Sequence, residues 1–289
     1  MKNYRALTLA CSLFSVSTFP SASAGAETLD ALASRTHYHG IAFDRTGKAT
    51  LLLASHHGLF ALDKDGRVTQ VSPVQDFMGF SANPVDPLSF YASGHPAGGG
   101  NSGFLKSEDG GVTWKQLSPA LRGPVDFHQM DVSPINPEII FGNYGGMQVS
   151  RDGGQTWADA GFSPLKLVSI AASGINANLI YAATQKGLFN SADAGKNWQL
   201  LDFDGKVVSA VKIAPNGGVL AFVLGQGLMK AQENKPKEWT VLSNDFGDAY
   251  PLHIAIDPAD DNHFALTTQN NDVLESHDGG STWAPFGKT

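Results

Sequence analysis

Short stretches in which apolar and polar residues alternate recur along the chain, and each ends at a polar turn. Six of them have the same length and form: residues 39–44, 78–83, 128–133, 168–173, 209–214 and 252–257. A second β-rich stretch follows, as at 139–143, 179–183 and 264–268, and third stretches follow, as at 103–106 and 187–190. Alternation over about six residues indicates a half-buried β-strand. The pattern therefore predicts an all-β chain built from six successive four-stranded units.

A polar motif of the form Ser-x-Asp-x-Gly-x-(Thr or Asn)-Trp also repeats. Four copies occupy residues 107–114, 150–157, 191–198 and 276–283, so their starts lie 43, 41 and 85 residues apart. A degenerate copy at 230–239 fills the longest interval, and a weaker copy at 63–66 precedes the first full one. Aspartate and glycine permit a tight hairpin, and the serine, threonine and aspartate side chains bond the local backbone. The motif predicts one such turn in most of the units.

This motif resembles the Asp-box, or BNR, repeat of sialidase-like β-propellers and of the related Vps10-like and photosystem-assembly propellers. The resemblance extends over about residues 37–286 and implies a six-bladed β-propeller with four-stranded antiparallel blades and Asp-box hairpins. In that family the box joins the third and fourth strands, away from the ligand face, so its residues are expected to be structural. They are Asp109, Trp114, Asp152, Trp157, Asp193, Trp198, Asp278 and Trp283. Small secreted bacterial propellers of this kind are often labelled glycosyl hydrolases.

The first residues have the features of a signal peptide. Lys2 and Arg5 precede a mostly apolar run at 6–19, and an Ala-Ser-Ala cleavage signal ends at Ala24. The run is shorter than the roughly 20 residues that a membrane-spanning helix needs. We expect a signal peptide at 1–24, an N-terminal segment at 25–36, one propeller domain at 37–289, and a periplasmic or secreted location. The only cysteine, Cys11, lies in the leader, so the mature chain would contain no disulfide bond.

Composition excludes two broad classes of protein. Hydrophobic residues make up 42% of the chain and charged residues 16%, which is too apolar for a disordered protein. Twenty lysines and arginines stand against 27 aspartates and glutamates, so the net charge is −7. Nucleic-acid binding requires basic side chains that neutralise phosphates, and this chain has no excess of them. A nucleic-acid partner is therefore not expected.

Histidine and methionine residues occupy equivalent positions in the first three units. Five residues before the turn, the six inner stretches carry His39, Met78, His128, Val168, Ser209 and Leu252. The loops between second and third strands add His56, His57 and His95. Two residues upstream of the first set are His37, Asp76 and Asp126, and two residues downstream are Ile41, Phe80 and Met130. In a propeller these positions share the face around the channel, so six of the nine histidines are predicted to cluster there.

This cluster predicts a metal site, with copper favoured. Neutral imidazole is the commonest nitrogen ligand of metals in proteins, and a thioether favours soft copper over zinc. The candidate ligands are His39, Met78, His128, His95, His57, His56, His37 and Met130. Asp76 and Asp126 would bond the imidazoles and fix their tautomers. The alternative is that these polar residues line a wet channel and that Met78 and Met130 only pack.

Enzymatic function is a second interpretation. The resemblance to sialidases implies three arginines converging on a carboxylate, but at most Arg35 and Arg122 can reach the ligand face, which argues against a sialidase. Hydrolysis of other glycosides requires two carboxylates, for which Asp76 and Asp126 are the candidates. The sequence contains no Gly-x-Ser-x-Gly nucleophile elbow and no phosphate-binding loop.

A third interpretation is a non-catalytic propeller that binds a protein partner on the same face. Aromatic side chains near the predicted histidine cluster can either contact such a partner or close the core. They are Tyr38, Phe77, Phe127 and Tyr144. The expected ligand is therefore a metal ion, another small ligand or a protein.

Overall fold

The computed structural model describes residues 27–161 and 166–288. It contains six antiparallel sheets. The innermost strand of each sheet packs against the innermost strands of its two neighbours, and this packing closes a ring. This arrangement confirms the predicted all-β, six-bladed propeller. The predicted signal peptide at 1–24 and Cys11 lie outside the described residues. Of the helices in the described ranges, none combines the length and apolar character required to cross a membrane.

Each blade is formed by consecutive strands, numbered here from the channel outwards. Strand β1 (Glu27–Thr28) and helix α1 (Leu29–Ala33) precede the first blade. Blade 1 contains β2 (Tyr38–Phe43), β3 (Leu51–Ser55), β4 (Gly58–Leu62) and β5 (Arg67–Gln70). Blade 2 contains β6 (Asp76–Ala82), β7 (Phe90–His95), β8 (Phe104–Ser107) and β9 (Lys115–Ser118). Blade 3 contains β10 (Gln129–Val132), β11 (Ile140–Asn143), β12 (Met147–Ser150) and β13 (Ala158–Gly161).

The second half of the ring repeats this order. Blade 4 contains β14 (Leu167–Ala172), β15 (Ile180–Thr184), β16 (Gly187–Ser191) and β17 (Gln199–Asp202). Blade 5 contains β18 (Val208–Ile213), β19 (Gly218–Val223), β20 (Gly227–Gln232) and β21 (Lys235–Ser243). Blade 6 contains β22 (Pro251–Asp257), β23 (Asp260–Thr268), β24 (Val273–Ser276) and β25 (Ala284–Pro285). The bounds of all six inner strands lie within two residues of those predicted from alternation.

The Asp boxes form the turns between the third and fourth strands of blades 2, 3, 4 and 6. In the box of blade 3, Ser150 Oγ donates to Asp152 Oδ1, while the backbone N–H and the hydroxyl of Thr156 donate to the two carboxylate oxygens. The other three boxes repeat this network. These donors favour the ionised carboxylate, and they lower the pKa of Asp193 and of Asp278 to about 2. The repeated hydrogen bonds explain why the motif recurs so regularly.

The ring closes by side-chain packing between blades 1 and 6. All four strands of blade 6 come from the C-terminal part of the chain, as predicted, and no hydrogen-bonded strand pair joins the described parts of the two blades. Leu32, Phe43, Ala255 and Phe286 belong to one buried apolar cluster that spans this seam. The N-terminal strand β1 adds a fifth strand at the outer edge of blade 1 by pairing with β5.

Acidification is expected to destabilise the seam through His253, which lies on β22, the blade 6 strand that packs against β2 of blade 1. Burial lowers the pKa of His253 from 6.5 to about 4. Below pH 6.5 the unfolded chain therefore binds a proton that the folded chain accepts only near pH 4. The free energy of unfolding should fall by roughly 3 kcal/mol over this range because of His253 alone. Urea unfolding at pH 7 and pH 4.5 measures this loss, which should be smaller in His253→Gln; equal losses in both proteins would contradict it.

Candidate functional site

Five polar side chains of blades 1 and 2 and the entry to blade 3 meet at one end of the channel. Asp76 and His95 are directly opposite each other in the ladder between β6 and β7. His39 lies on β2, and His56 lies in the turn that joins β3 to β4. Asp126 precedes β10. The predicted convergence of strand starts and loops therefore occurs, and we call these five residues, together with His128, the mouth cluster.

The blade 1 and blade 2 side chains of the mouth cluster form a continuous chain of contacts. His39 Nε2 lies 3.0 Å from His56 Nε2, and the Nδ1 atom of His56 lies 3.0 Å from Asp76 Oδ1. The second oxygen of Asp76 lies 2.8 Å from His95 Nδ1. His39, His56 and Asp76 each place one ligand atom within 4.8 Å of the other two. Asp76 thus bridges two imidazoles and orients both.

Asp126 extends the network towards blade 3. Its Oδ2 atom lies 2.8 Å from His128 Nε2 and 3.6 Å from His95 Nε2. Hydrogen bonding to Asp126 raises the pKa of His128. The Oδ1 atom of Asp126 is buried and has no hydrogen-bond partner among the described residues. The two carboxylates therefore alternate with the histidines across three blades.

Of the mouth cluster, His39 has the most strongly shifted pKa. Its pKa is lowered to about 3, first by burial and then by repulsion from the neighbouring histidines His56, His253, His128 and His37. A partly buried imidazole surrounded by other imidazoles resists protonation because its charged form loses solvation and meets like charge. Its nitrogen lone pair consequently stays available at neutral pH.

The remaining candidate ligands lie at the edge of the mouth cluster or outside it. His37 Nδ1 lies 3.3 Å from Asn271 Oδ1 of blade 6, and its ring is 6.2 Å from that of His56. His57 is partly buried, and its Nδ1 atom has no hydrogen-bond partner within the described ranges. Met130 is buried and lines the channel. The structure therefore separates these three from the contacts that join His39 to His128.

Met78 is placed differently from its sequence equivalents. It is buried and, unlike His39 and His128, is not among the described residues that line the channel. An extra residue interrupts the ladder between Phe77 and Phe80, so the alternation of β6 shifts at this point. Blade 2 contributes Asp76 and His95 to the mouth instead. The pairing of these two residues across a hairpin was the sequence signal that could have identified Asp76 as central.

Three of the aromatic residues considered for partner binding are core residues. Tyr38, Phe77 and Phe127 are buried, so of the two roles considered for them they have the one in the core. Tyr144 is partly buried, and its hydroxyl accepts a hydrogen bond from Asn101. Both arginines that were considered for the ligand face are paired with carboxylates: Arg35 with Glu27 and Arg122 with Asp159.

Behind the mouth cluster lies a channel cavity of about 240 Å³ lined by the inner strands of all six blades. His39 and His128 lie on its wall. Deeper in the channel, Asp131 accepts a hydrogen bond from the backbone N–H of Ala172 and lies 3.6 Å from Lys212 Nζ. Because Asp131 is already paired, it is less available to a ligand at the mouth.

Comparison with known proteins supports the fold. The BNR/Asp-box repeat family model matches residues 148–159. No curated protein matches the sequence. Among solved structures, a GH74 enzyme of Niastella koreensis is similar with a TM-score of 0.61 and 18% identity over 86% of this chain and 45% of that one. This chain therefore spans less than half of the length of that enzyme.

Two further structures resemble the ring more completely. YCF48 bound to D1 peptide is similar with a TM-score of 0.55 and 15% identity, over 88% of this chain and 84% of that one. A chain from a nidogen/laminin complex has a TM-score of 0.62 and 13% identity, over 80% of this chain and 90% of that one. At these identities the likeness concerns the propeller fold alone.

Proposed function

We propose that this protein binds a divalent transition-metal ion at the mouth of its channel through His39, His56 and Asp76. The observation that supports the proposal most strongly is that one ligand atom from each lies within 4.8 Å of the other two. Two imidazole nitrogens and a carboxylate oxygen form a common donor set for such ions. Because the sequence predicts a signal peptide at 1–24, we propose a periplasmic or extracellular location for this function.

The second oxygen of Asp76 and the adjacent Asp126 suit the surroundings of such an ion. While Asp76 Oδ1 faces the proposed ion, Asp76 Oδ2 can keep its 2.8 Å contact to His95. Asp126 in turn contacts both His95 and His128. Carboxylates that bond imidazoles fix the tautomer and the ring orientation, and they add negative charge that offsets the charge of the ion.

Copper(II) is the ion that we favour. A divalent ion bound by nitrogen and oxygen donors follows the Irving–Williams order, in which Cu²⁺ binds most tightly. The thioether argument for Cu⁺ weakens because Met78 does not line the channel and Met130, which does, lies outside the mouth contacts. The preference for copper therefore depends on the imidazole and carboxylate donors.

The arrangement of Asp76 and Asp126 favours metal binding over glycoside hydrolysis. A glycosidase needs one carboxyl group that protonates the leaving oxygen and a second that acts as base or nucleophile. Here Asp76 is bonded through both oxygens to histidines, and Asp126 is buried and bonded to His128. Such carboxylates position imidazoles, so the likeness to a GH74 enzyme is not the basis of the proposal.

Titration with Cu²⁺ against a competing chelator tests the proposal. We expect His39→Ala to bind Cu²⁺ at the mouth at least about 10-fold more weakly, because it removes an imidazole that faces His56. Broadening of assigned imidazole NMR signals by paramagnetic Cu²⁺ identifies the site. His57→Ala is the matched control, since His57 is adjacent in sequence but outside the mouth contacts. Unchanged Cu²⁺ affinity in His39→Ala would exclude this site, and hydrolysis of a β-glucan without metal would favour the enzyme.

A further inference from the structure

A second group of potential metal ligands lies on blade 6, at its seam with blade 1. His263 lies on β23, Glu275 on β24, and His277 in the Asp box that follows β24. Phe264 pairs with Ser276 in the ladder, so the next pair of positions is His263 and His277. Opposite residues in an antiparallel pair point to one face, and so do residues two apart on a strand. The register therefore places all three side chains on the same face.

The distances between these side chains suit a tetrahedral ion. Glu275 Oε2 lies 3.4 Å from His277 Nε2 and 3.8 Å from His263 Nε2. The two imidazole rings are stacked, with centroids 4.3 Å apart. An ion bound at about 2.0–2.1 Å by each ligand holds tetrahedral ligand atoms roughly 3.4 Å apart. One ligand atom of each side chain lies within 4.8 Å of the other two.

The hydrogen bonding of His263 also points to a cation. Its Nε2 atom is buried without a hydrogen-bond partner among the described residues, while its Nδ1 atom lies 3.4 Å from Asp257 Oδ2. The Asp257 carboxylate favours a proton on Nδ1, which leaves a lone pair on Nε2. That lone pair faces Glu275 Oε2 at 3.8 Å, so two hydrogen-bond acceptors lie next to each other below the surface without a donor between them. A cation between them would satisfy both.

The surroundings hold two of the ligands and leave the third accessible. The Phe43 ring of blade 1 packs edge-on against His263, with centroids 4.6 Å apart. Glu275 Oε1 accepts a hydrogen bond from the backbone N–H of Gly287. The side chains of His263 and Glu275 are 15% and 8% exposed, whereas that of His277 is 62% exposed. An ion can therefore enter from solvent past His277.

We infer that His263, Glu275 and His277 bind a zinc-type divalent ion on blade 6, beside its seam with blade 1. The set of two imidazoles and one carboxylate matches the ligand types of zinc sites with an open fourth position. Asp257 and Glu275 together carry the two negative charges that balance such an ion. This site is separate from the mouth cluster and shares no residue with it.

Zinc titration of the Asp76→Asn protein tests the inference, because that substitution weakens the mouth site. We expect one Zn²⁺ per chain, a rise in Tm on Zn²⁺ addition, and the visible absorption of tetrahedral Co²⁺ when Co²⁺ replaces it. Adding His277→Ala should weaken Zn²⁺ binding at least about 100-fold and abolish the rise in Tm. The substitution suits the fold, since Ala192 occupies the same position in the box of blade 4.

The matched control is Arg151→Ala, at the equivalent position in the box of blade 3, which should leave Zn²⁺ binding unchanged. Equal Zn²⁺ affinity with and without His277→Ala would overturn the inference, and so would absence of Zn²⁺ binding by the Asp76→Asn protein. Failure of the proposed mouth site gives a different result: Cu²⁺ affinity insensitive to His39→Ala, with Zn²⁺ binding still sensitive to His277→Ala.

Discussion

Asp76→Asn is expected to weaken Cu²⁺ binding at the channel mouth by about 100-fold. The substitution removes one proposed ligand oxygen and also changes the contacts that orient His56 and His95. An asparagine amide is uncharged and offers one acceptor in place of two, so one of the imidazoles loses its acceptor. A single substitution therefore affects three members of the mouth cluster. The shape of the side chain is preserved, so the fold should be retained.

Competition titration with Cu²⁺ measures this effect, and urea unfolding monitors the fold. Asp126→Asn is the comparison, because Asp126 contacts His95 and His128 but is not one of the three proposed ligands. We expect Asp126→Asn to weaken Cu²⁺ binding by only about 10-fold. If both substitutions had the same effect on affinity, the role assigned to Asp76 as a ligand would be wrong.

Trp157→Ala is expected to lower the free energy of unfolding by about 3–5 kcal/mol. Trp157 is only 9% exposed, and its ring packs against Phe104 of blade 2 and Phe127 of blade 3 at centroid distances of 5.1 and 5.0 Å. Its indole N–H donates to Ser118 Oγ and to the Gly154 carbonyl. The substitution would leave a cavity between two blades and remove both indole hydrogen bonds, although Ser118 Oγ would still donate to the Gly154 carbonyl.

Urea unfolding of purified variants gives the magnitude. Trp198→Ala, in the box of blade 4, is the matched control, because Trp198 is only partly buried and its indole nitrogen has no hydrogen-bond partner within the described ranges. We expect a smaller loss there. Trp157→Phe should lower the free energy of unfolding less than Trp157→Ala does, since phenylalanine retains much of the ring. Equal losses in Trp157→Ala and Trp198→Ala would show that the contacts with Phe104 and Phe127 do not decide the stability.

Much of the fold was predictable because each blade repeats the same local sequence patterns, namely the alternating inner strand and, in four blades, the box motif. Alternation located the inner strands to within two residues, and the box motif located four hairpins. The hydrogen bonds of the box aspartates join residues no more than four apart, as between Asp152 and Thr156. Interactions between residues so close in the chain can be predicted from the local sequence alone. The fifth strand of blade 1 was not predicted, because β1 has only two residues and pairs with residues of β5 that lie 39 and 41 positions further along the chain.

The mouth cluster was predictable in outline only. Counting back from each turn correctly placed His39 and His128 on the channel wall, and the hairpin loops correctly added His56 and His95. The same count placed Met78 level with them, but the bulge in β6 breaks the equivalence between blades. The central position of Asp76 depends on its contacts of about 3 Å with His56 and His95. Contacts between side chains of different strands cannot be predicted from the spacing of the repeats.

The sequence by itself determined the number of blades, the inner strands, the box hairpins and the end of the channel at which the histidines gather. These features follow from periodicity and from hydrogen bonds between neighbouring residues. Only the tertiary structure decided which side chains meet: Asp76 between His56 and His95, and His263 with Glu275 and His277 at the seam. Those contacts depend on strand register, on bulges and on the closing of the ring, each of which joins residues that the local pattern treats independently.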